Sequence, residues 1–178
     1  MKRLLLFLFF LPLISLGQKK ITYPELINRL VDLEYLAKPP LKGEFSGSFS
    51  SYDRNSKYDF DTKSYVNWHA NRDGTGYVRK ENNNIVVFEQ DGPGVIWRVW
   101  SALALSGHIK IYIDNQKTPI IDKPFSDFFE QLNEEDVELP KNLPGLPSVN
   151  LPELMSTLSR GRNRFIPIPF QKNCKIIL

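Results

Sequence analysis

Residues 91–100 read Asp-Gly-Pro-Gly-Val-Ile-Trp-Arg-Val-Trp, and this stretch decides the fold class. Its first four residues predict a tight turn, because glycine supplies a positive φ and proline fixes its own φ. The next six predict one strand with both faces substantially covered. On such a strand Trp97 and Trp100 point to opposite faces, so at least one is expected in the core, and Trp97 is favoured.

Short strands with turn residues between them flank this stretch. Residues 85–89 and 109–113 predict strands, and the second alternates apolar with polar side chains, as a half-buried strand does. Residues 114–117 predict the turn of a hairpin with residues 119–121. Residues 166–170 are extended but cannot form a central strand, because their prolines lack a backbone donor. The pattern predicts an all-β fold.

One helix is predicted ahead of the strands, over residues 18–38. Thr22 and Glu25 form a capping box, and apolar residues then recur at helical spacing up to Ala37. The two prolines at residues 39–40 end the helix. We expect this helix to pack on the side of a sheet or on a partner chain.

The first 17 residues have the three parts of a secretory signal peptide. Lys2 and Arg3 give a positive start, residues 4–14 are almost entirely apolar, and small residues then prepare cleavage near Gly17. The apolar run is too short to span a bilayer, although an uncleaved anchor is the competing interpretation. We therefore expect an exported protein, periplasmic or extracellular, without a membrane span.

Composition limits the classes of function. The 178 residues are enough for one domain. The net charge of +3 falls by two, to +1, when Lys2 and Arg3 are removed. This near-neutral charge argues against a nucleic-acid partner. Cys174 is the single cysteine, so no internal disulfide can form, and a small buried side chain is expected there. His69 has no further metal ligands around it, so neither a metal nor another cofactor is predicted.

Polar and aromatic residues concentrate in two segments: the first comprises residues 50–55 followed by residues 68–74, and the second comprises residues 91–101. A sugar site needs charged groups that hold hydroxyls and flat rings that stack on the apolar face of the sugar. Residues of these types are Asp53, Arg54, Trp68, Trp97 and Trp100, and the predicted substrate-binding residues are Tyr52, Asp53, Arg54 and Trp100. The alternative for Asp53 and Arg54 is a structural ion pair that pins a loop.

Several motifs follow one another along the chain: Ser50-Ser51-Tyr52-Asp53-Arg54, residues 91–100, residues 107–114, Ile166-Pro167-Ile168-Pro169-Phe170 and Cys174-Lys175-Ile176. In these motifs and their order, the chain resembles the DUF2961 family, which is also classed as glycoside hydrolase family 172. The resemblance implies a jelly-roll β-sandwich over residues 39–178, the first of two in each protomer. It also implies homo-oligomers with sugar sites near protomer contacts. Characterised relatives act on fructofuranosides and D-arabinofuranosides and retain anomeric configuration.

The resemblance also limits what this chain is expected to do alone. In the family the chain continues into a second jelly roll that carries the catalytic glutamates, so we expect truncation at the C-terminal end and no catalytic residue before Leu178. A retaining glycosidase needs two carboxyl groups about 5 Å apart. No spacing argument brings together any two of Glu44, Glu81 and Glu89. The alternatives are a non-catalytic jelly-roll module that binds sugar or serves assembly, and a degraded gene product with no function.

Overall fold

A computed structural model of the chain describes residues 21–70, 72–102, 104–129, 154–158 and 161–178, so the signal peptide predicted at residues 1–17 lies outside the described part. The strands are β1 (Lys57–Asp59), β2 (Ser64–Val66), β3 (Arg79–Glu81), β4 (Asn84–Asp91), β5 (Gly94–Ile96), β6 (Val99–Ser101), β7 (His108–Ile113), β8 (Ile121–Pro124), β9 (Met155–Leu158), β10 (Gly161–Arg164), β11 (Ile168–Phe170) and β12 (Asn173–Ile177). The helical elements are α1 (Tyr23–Arg29), α2 (Leu33–Ala37) and a 3-10 helix at Asp127–Phe129. None of these helices has the length and hydropathy that a membrane span needs.

A five-stranded antiparallel sheet forms one layer, in the order β3-β4-β12-β7-β8. β12 lies in its middle and pairs with β4 and β7, so that Ile176 is opposite both Phe88 and Ile111. Along β7 the side chains of Ile109, Ile111 and Ile113 are buried, while the two between them are half-buried. The predicted half-buried strand is therefore confirmed. The predicted hairpin is confirmed as well, because β7 pairs with β8.

The second layer consists of shorter pairings on the other side of the core. β5 pairs with β11, and β6 pairs with β10, which also pairs with β9. Apolar side chains from both layers and from the segments between them form the core: Ala104, Ile109, Ile111, Ile113, Phe128, Phe129, Ile168, Phe170, Cys174 and Ile176. Removal of this surface from water is the main favourable contribution to folding. The prediction of an all-β sandwich is confirmed.

The predicted single strand over residues 95–100 is wrong, because the chain leaves the strand conformation for two residues after Ile96. Ile96 is opposite Ile168, and Val99 is opposite Arg164. The path from Ile96 to Val99 covers three residues, whereas the opposite path from Arg164 to Ile168 covers four. The extra residue creates a bulge-like irregularity, and a proline without a backbone donor lies inside it.

This break changes which side chains face the core. Ile96 and Val99 both pack against the core, which an uninterrupted alternating strand would not allow. Trp100 consequently faces outward and is 56 % exposed, whereas Trp97 is half-buried. Trp97 is therefore the more buried of the two, but it is not among the core residues or the side chains packed against them, so the expectation that Trp97 lies in the core is not confirmed.

The glycines of the turn before β5 serve a different purpose from the one predicted. Neither Gly92 nor Gly94 has a positive φ. A Cβ at Gly92 would lie 2.8 Å from the carbonyl oxygen of Gln171, and a Cβ at Gly94 would lie 2.5 Å from Cζ of Phe170. The missing side chains therefore let β11 and the turn after it approach this segment closely.

The helix predicted over residues 18–38 is found as two short helices within the described residues. The capping box is confirmed, since the Thr22 amide donates to Oε2 of Glu25 at 2.7 Å and the Glu25 amide donates to Oγ1 of Thr22 at 3.4 Å. Asp32 then starts a second helix by accepting a hydrogen bond of 3.0 Å from an amide in its first turn. Of the predicted apolar face only Leu26 is buried.

Cys174 is confirmed as a buried side chain. Burial raises the pKa of its thiol to about 12, so the reactive thiolate is scarce at neutral pH.

We expect DTNB to react with Cys174 of the folded chain no faster than the chain unfolds, and rapidly in concentrated guanidinium chloride. Because the chain has one cysteine, the absorbance change reports this site alone. Rapid labelling at neutral pH without denaturant would contradict the packing of β12.

Candidate functional site

Asp53 organises the loop at residues 50–55 from a buried position. The residue is 6 % exposed. Its Oδ1 accepts a hydrogen bond from the amide of Asn55 at 3.0 Å, and its Oδ2 accepts one from the amide of Arg72 at 3.1 Å. The Asp53 amide donates to Oδ1 of Asp73 at 3.0 Å. Because each carboxylate oxygen has a second lone pair, Asp53 can still accept a hydrogen bond from a ligand hydroxyl.

Arg54 fixes the neighbouring Tyr52 ring. Its Nη1 donates to the carbonyl of Tyr52 and its Nη2 to the carbonyl of Ser50, both at 2.9 Å. The guanidinium carbon lies 3.7 Å from the centroid of the Tyr52 ring, which is a cation–π contact. Tyr52 nevertheless remains 50 % exposed. Arg54 and Asp53 thus bind separate backbone groups and both pin the loop, as the structural alternative expected, although no salt bridge joins these two described side chains.

Gly76 lets this loop approach the turn that follows residue 72. The amides of Gly74 and Gly76 both donate to the carbonyl of Ser51, at 2.7 and 3.1 Å. A Cβ at Gly76 would lie 2.0 Å from the carbonyl oxygen of Tyr52. A residue with a side chain therefore cannot take this position without displacing the loop.

Two open cavities flank Tyr52. The first, about 490 Å³, is lined by Tyr52, Asp53 and Asp73 and by aromatic side chains of the β1–β2 hairpin, and we call it the Asp53 cavity. The second, about 450 Å³, is lined by Tyr52, Arg54, Tyr77 and neighbouring residues. Both volumes are in the range of small-molecule sites. Tyr52 is shared by the two cavities, whereas Asp53 and Arg54 line one each.

Four aromatic side chains extend from the Asp53 cavity, and we call Tyr58, Phe60, Tyr65 and Trp68 the aromatic row. Tyr58 and Tyr65 are directly opposite on β1 and β2, with ring centroids 5.2 Å apart. Phe60 packs on Tyr58 at 5.0 Å, and Trp68 packs on Tyr65 at 5.2 Å. Only Trp68 was singled out from the sequence. The available signal was the pair of tyrosines on either side of a polar turn, which is a hairpin pattern.

Trp100 lies apart from the Tyr52 loop. It is opposite Asn163 in the pairing of β6 with β10, and it lines neither of the two cavities. A Cβ at Gly161 would be 2.8 Å from its indole nitrogen, so the indole covers this glycine. The four predicted substrate-binding residues are therefore divided. Three lie in the loop at residues 50–55, which we call the Tyr52 loop, and Trp100 belongs to a separate exposed surface of the second layer.

A buried polar contact supports the strand next to Trp100. Asn163 is buried, and its Oδ1 accepts hydrogen bonds from Nε and Nη2 of Arg98 at 3.1 and 2.7 Å. Its Nδ2 donates to the carbonyls of Ser156 and Gly161 at 3.4 and 3.3 Å. No local sequence pattern predicts this contact, because its two side chains are 65 positions apart.

Glu81 and Glu89 come together although no spacing pattern predicted it. Arg79 lies between them, and its Nε donates to Glu81 at 3.0 Å while its Nη2 donates to Glu89 at 3.1 Å. The hydrogen bond from Arg79 is the main cause that lowers the pKa of each carboxyl group. The general acid of a glycosidase needs a raised pKa, so this pair is unsuited to that role. Glu44 instead accepts a hydrogen bond of 2.8 Å from the amide of Leu41.

His108 belongs to an exposed group of charges on β7 and β8. Its Nε2 contacts Oδ1 of Asp122, and Lys110 lies 3.5 Å from the other oxygen of the same carboxylate. Exposed contacts of this kind contribute little to stability. Across the described ranges, no three His, Cys, Asp or Glu side chains are grouped so as to hold a metal ion.

Replacing Asp53 with alanine removes the acceptor of two backbone amides and should loosen the loop. We expect faster hydrogen exchange at the amides of Asn55 and Arg72, and a free energy of unfolding lower by about 1–3 kcal/mol. NMR-detected exchange and urea unfolding measure these effects. Asp61→Ala, which removes an exposed carboxylate in the hairpin turn, is the matched control. Unchanged exchange at both amides would show that Asp53 does not hold the loop.

The chain was compared with known protein families, curated proteins and solved structures. A family model described as the GH172 first beta-sandwich domain matches residues 42–178, which is well over half of the chain. No curated protein and no solved structure matches. The matched range contains the Tyr52 loop, the aromatic row, Trp100 and both layers of the sandwich. This chain therefore belongs to glycoside hydrolase family 172, as a first β-sandwich domain of that family.

Proposed function

We propose that this chain is the first β-sandwich of an exported, retaining glycoside hydrolase that acts on furanoside glycans, either fructofuranosides or D-arabinofuranosides. Membership of the family supports a glycan substrate. The furanoside class and the retention of configuration come from the resemblance of the sequence motifs to the DUF2961 relatives. The observation that carries the proposal is the Tyr52 loop, where an aromatic ring and a carboxylate lie side by side at open cavities.

The residues of the loop have different parts in holding the sugar. The Tyr52 ring packs on the apolar face of the sugar, and Asp53 accepts hydrogen bonds from its hydroxyls. Arg54 acts through Tyr52, because both of its Nη atoms are bound to backbone carbonyls and its guanidinium covers the ring. Trp100 contacts a different part of the glycan, since it lies on another sheet.

The catalytic glutamates belong, in this proposal, to a second jelly roll, so that this chain alone binds the glycan without hydrolysing it. The lowered pKa values of Glu81 and Glu89 support this division, because a carboxyl group that stays ionised cannot protonate a leaving group. As the family resemblance implies, the complete protein forms homo-oligomers with the sugar sites near protomer contacts.

Calorimetric titration of the full chain with methyl α-D-arabinofuranoside and methyl β-D-fructofuranoside tests the binding role. Tyr52→Ala is expected to weaken binding of the preferred furanoside about tenfold, because the ring contact with the sugar is lost. Phe45→Ala, which removes a ring that is 78 % exposed and lies outside the loop, should leave the affinity unchanged. NMR spectra of the same mixtures should show no release of sugar.

Two outcomes would contradict different parts of the proposal. Release of sugar by the chain alone would contradict the assignment of the catalytic glutamates to another part of the protein. Failure of both furanosides to bind, in a chain shown to be folded, would contradict the substrate class.

The competing function is a non-catalytic module that binds sugar or serves assembly. It is equally compatible with the engagement of Glu81 and Glu89 by Arg79, because neither function uses this pair in catalysis. This function predicts the same dependence of binding on Tyr52. Sequencing of the transcript past the codon for Leu178 separates the two functions, since only the enzyme requires a further coding segment with catalytic glutamates.

The leader at residues 1–17 gives the location in this proposal. We expect cleavage after Gly17, which leaves Gln18 as the first residue of the mature protein. N-terminal sequencing of protein recovered from the periplasm or the medium measures this. Leu8→Arg interrupts the apolar run and should keep the precursor in the cytoplasm. A mature protein that still begins at Met1 would contradict the signal peptide.

A further inference from the structure

We propose that the aromatic row is a second stacking surface, which carries the glycan beyond the sugar held at Tyr52 and so makes the protein select oligosaccharides over single furanoside units. This inference rests on the proposed furanoside function and names the form of its substrate. The juxtaposition that carries it is simple. Three rings of the row line the Asp53 cavity, and Trp68 continues the row out of that cavity into solvent.

The exposure of the row needs an explanation. Phe60 is 83 % exposed and Trp68 is 70 % exposed. The β1–β2 hairpin is a two-stranded sheet of its own, and none of the residues in its two strands is buried. The rings therefore do not fill a core. Contiguous exposed apolar surface of this kind marks a binding site.

A role in stabilising the hairpin explains only two of the four aromatic side chains in the row. Tyr58 and Tyr65 are directly opposite on the two strands, so their contact stabilises the hairpin. Phe60 lies in the turn and Trp68 lies beyond the end of β2, so neither belongs to a cross-strand pair. They are also the two most exposed members of the row. A purely structural role leaves these two rings unexplained.

The surroundings of the row fit a carbohydrate better than a protein partner. Besides the rings, the Asp53 cavity is lined by Asp53, Ser56, Lys57, Ala70 and Asp73. Hydroxyl, ammonium and carboxylate groups beside aromatic rings suit a ligand with an apolar ring face and a rim of hydroxyls. The centre of a protein–protein interface is instead depleted in Ser, Lys and Asp.

The row is also long enough to contact more than one sugar. The centroids of Tyr58 and Tyr65 are 5.2 Å apart, and Trp68 lies a further 5.2 Å from Tyr65. These rings meet at angles of 70° and 59°, so they form a stepped surface and not a flat plate. A chain of furanosides joined by flexible linkages can follow such steps, with one sugar at the Tyr52 loop and the next on the row.

Trp68→Ala is the variant that tests the inference, because it leaves the Tyr58–Tyr65 pair of the hairpin in place. The full chain is titrated with methyl α-D-arabinofuranoside and with a linear D-arabinofuranose tetrasaccharide, and in parallel with the corresponding fructofuranose probes. We expect the wild type to bind the tetrasaccharide at least tenfold more tightly than the single unit. Trp68→Ala should bind the tetrasaccharide about tenfold more weakly than the wild type and should bind the single unit with unchanged affinity.

Two further variants control the experiment. Trp68→Phe keeps an aromatic ring and should retain most of the tetrasaccharide affinity. Phe45→Ala removes an equally exposed ring elsewhere and should change neither affinity. Equal affinity of the wild type for both probes, or a loss in Trp68→Ala that is the same for both, would overturn the inference.

The remaining outcomes separate this inference from the function on which it rests. If sedimentation shows self-association that Trp68→Ala abolishes, while tetrasaccharide affinity is unchanged, the row is an interface between copies of this chain and the inference is overturned. If the folded wild type binds neither probe in either series, the furanoside function fails and the inference fails with it. Binding of the single unit without a preference for the tetrasaccharide overturns the inference alone.

Discussion

The pairing of β12 with both β4 and β7 is the constraint on which the rest of the structure depends. Its alternating side chains place Cys174 and Ile176 in the core and Lys175 on the other face, where it reaches Glu81. The carboxylate of Asp114 ties the turn after β7 to the same strand, by accepting hydrogen bonds of 2.7 Å from the two amides just before it. Because these segments are distant in the sequence, the sheet forms only when non-local contacts are made, and folding is expected to be slower than that of a helical protein.

The broken pairing in the second layer determines the surface that can meet a ligand. An uninterrupted strand that placed Ile96 in the core would place Trp100 on the same side. The one-residue offset against the opposite segment turns Trp100 outward instead, and the contact of Arg98 with Asn163 lies beside the break. Irregularities of this kind often redirect a side chain at a functional surface of a sheet. The exposure of the Trp100 indole therefore follows from the one-residue offset in the pairing of the second layer.

The features that could be predicted from the sequence are those with local causes. The alternation over residues 109–113 and the capping box at Thr22 each depend on neighbours a few positions away, and both are confirmed. The break after Ile96 depends on the number of residues in a partner strand far along the chain, so no local pattern contains it. At the site, residue chemistry was enough to propose Tyr52 and Arg54. The contact of the Arg54 guanidinium with the Tyr52 ring could not be predicted, because it depends on the path of the backbone from Ser50 to Arg54.

The outer face of the five-stranded sheet carries neighbouring charges of opposite sign. Glu89 is opposite Lys175, and Lys110 is opposite Asp122. A protein that covered this face would have to dehydrate these groups, and their mutual attraction offsets that penalty only in part. A protein partner is therefore better accommodated on another surface of the molecule than on this one. Since the opposite charges largely cancel, this face also exerts little long-range field. Charged molecules in solution are therefore neither attracted to this face nor repelled from it at long range.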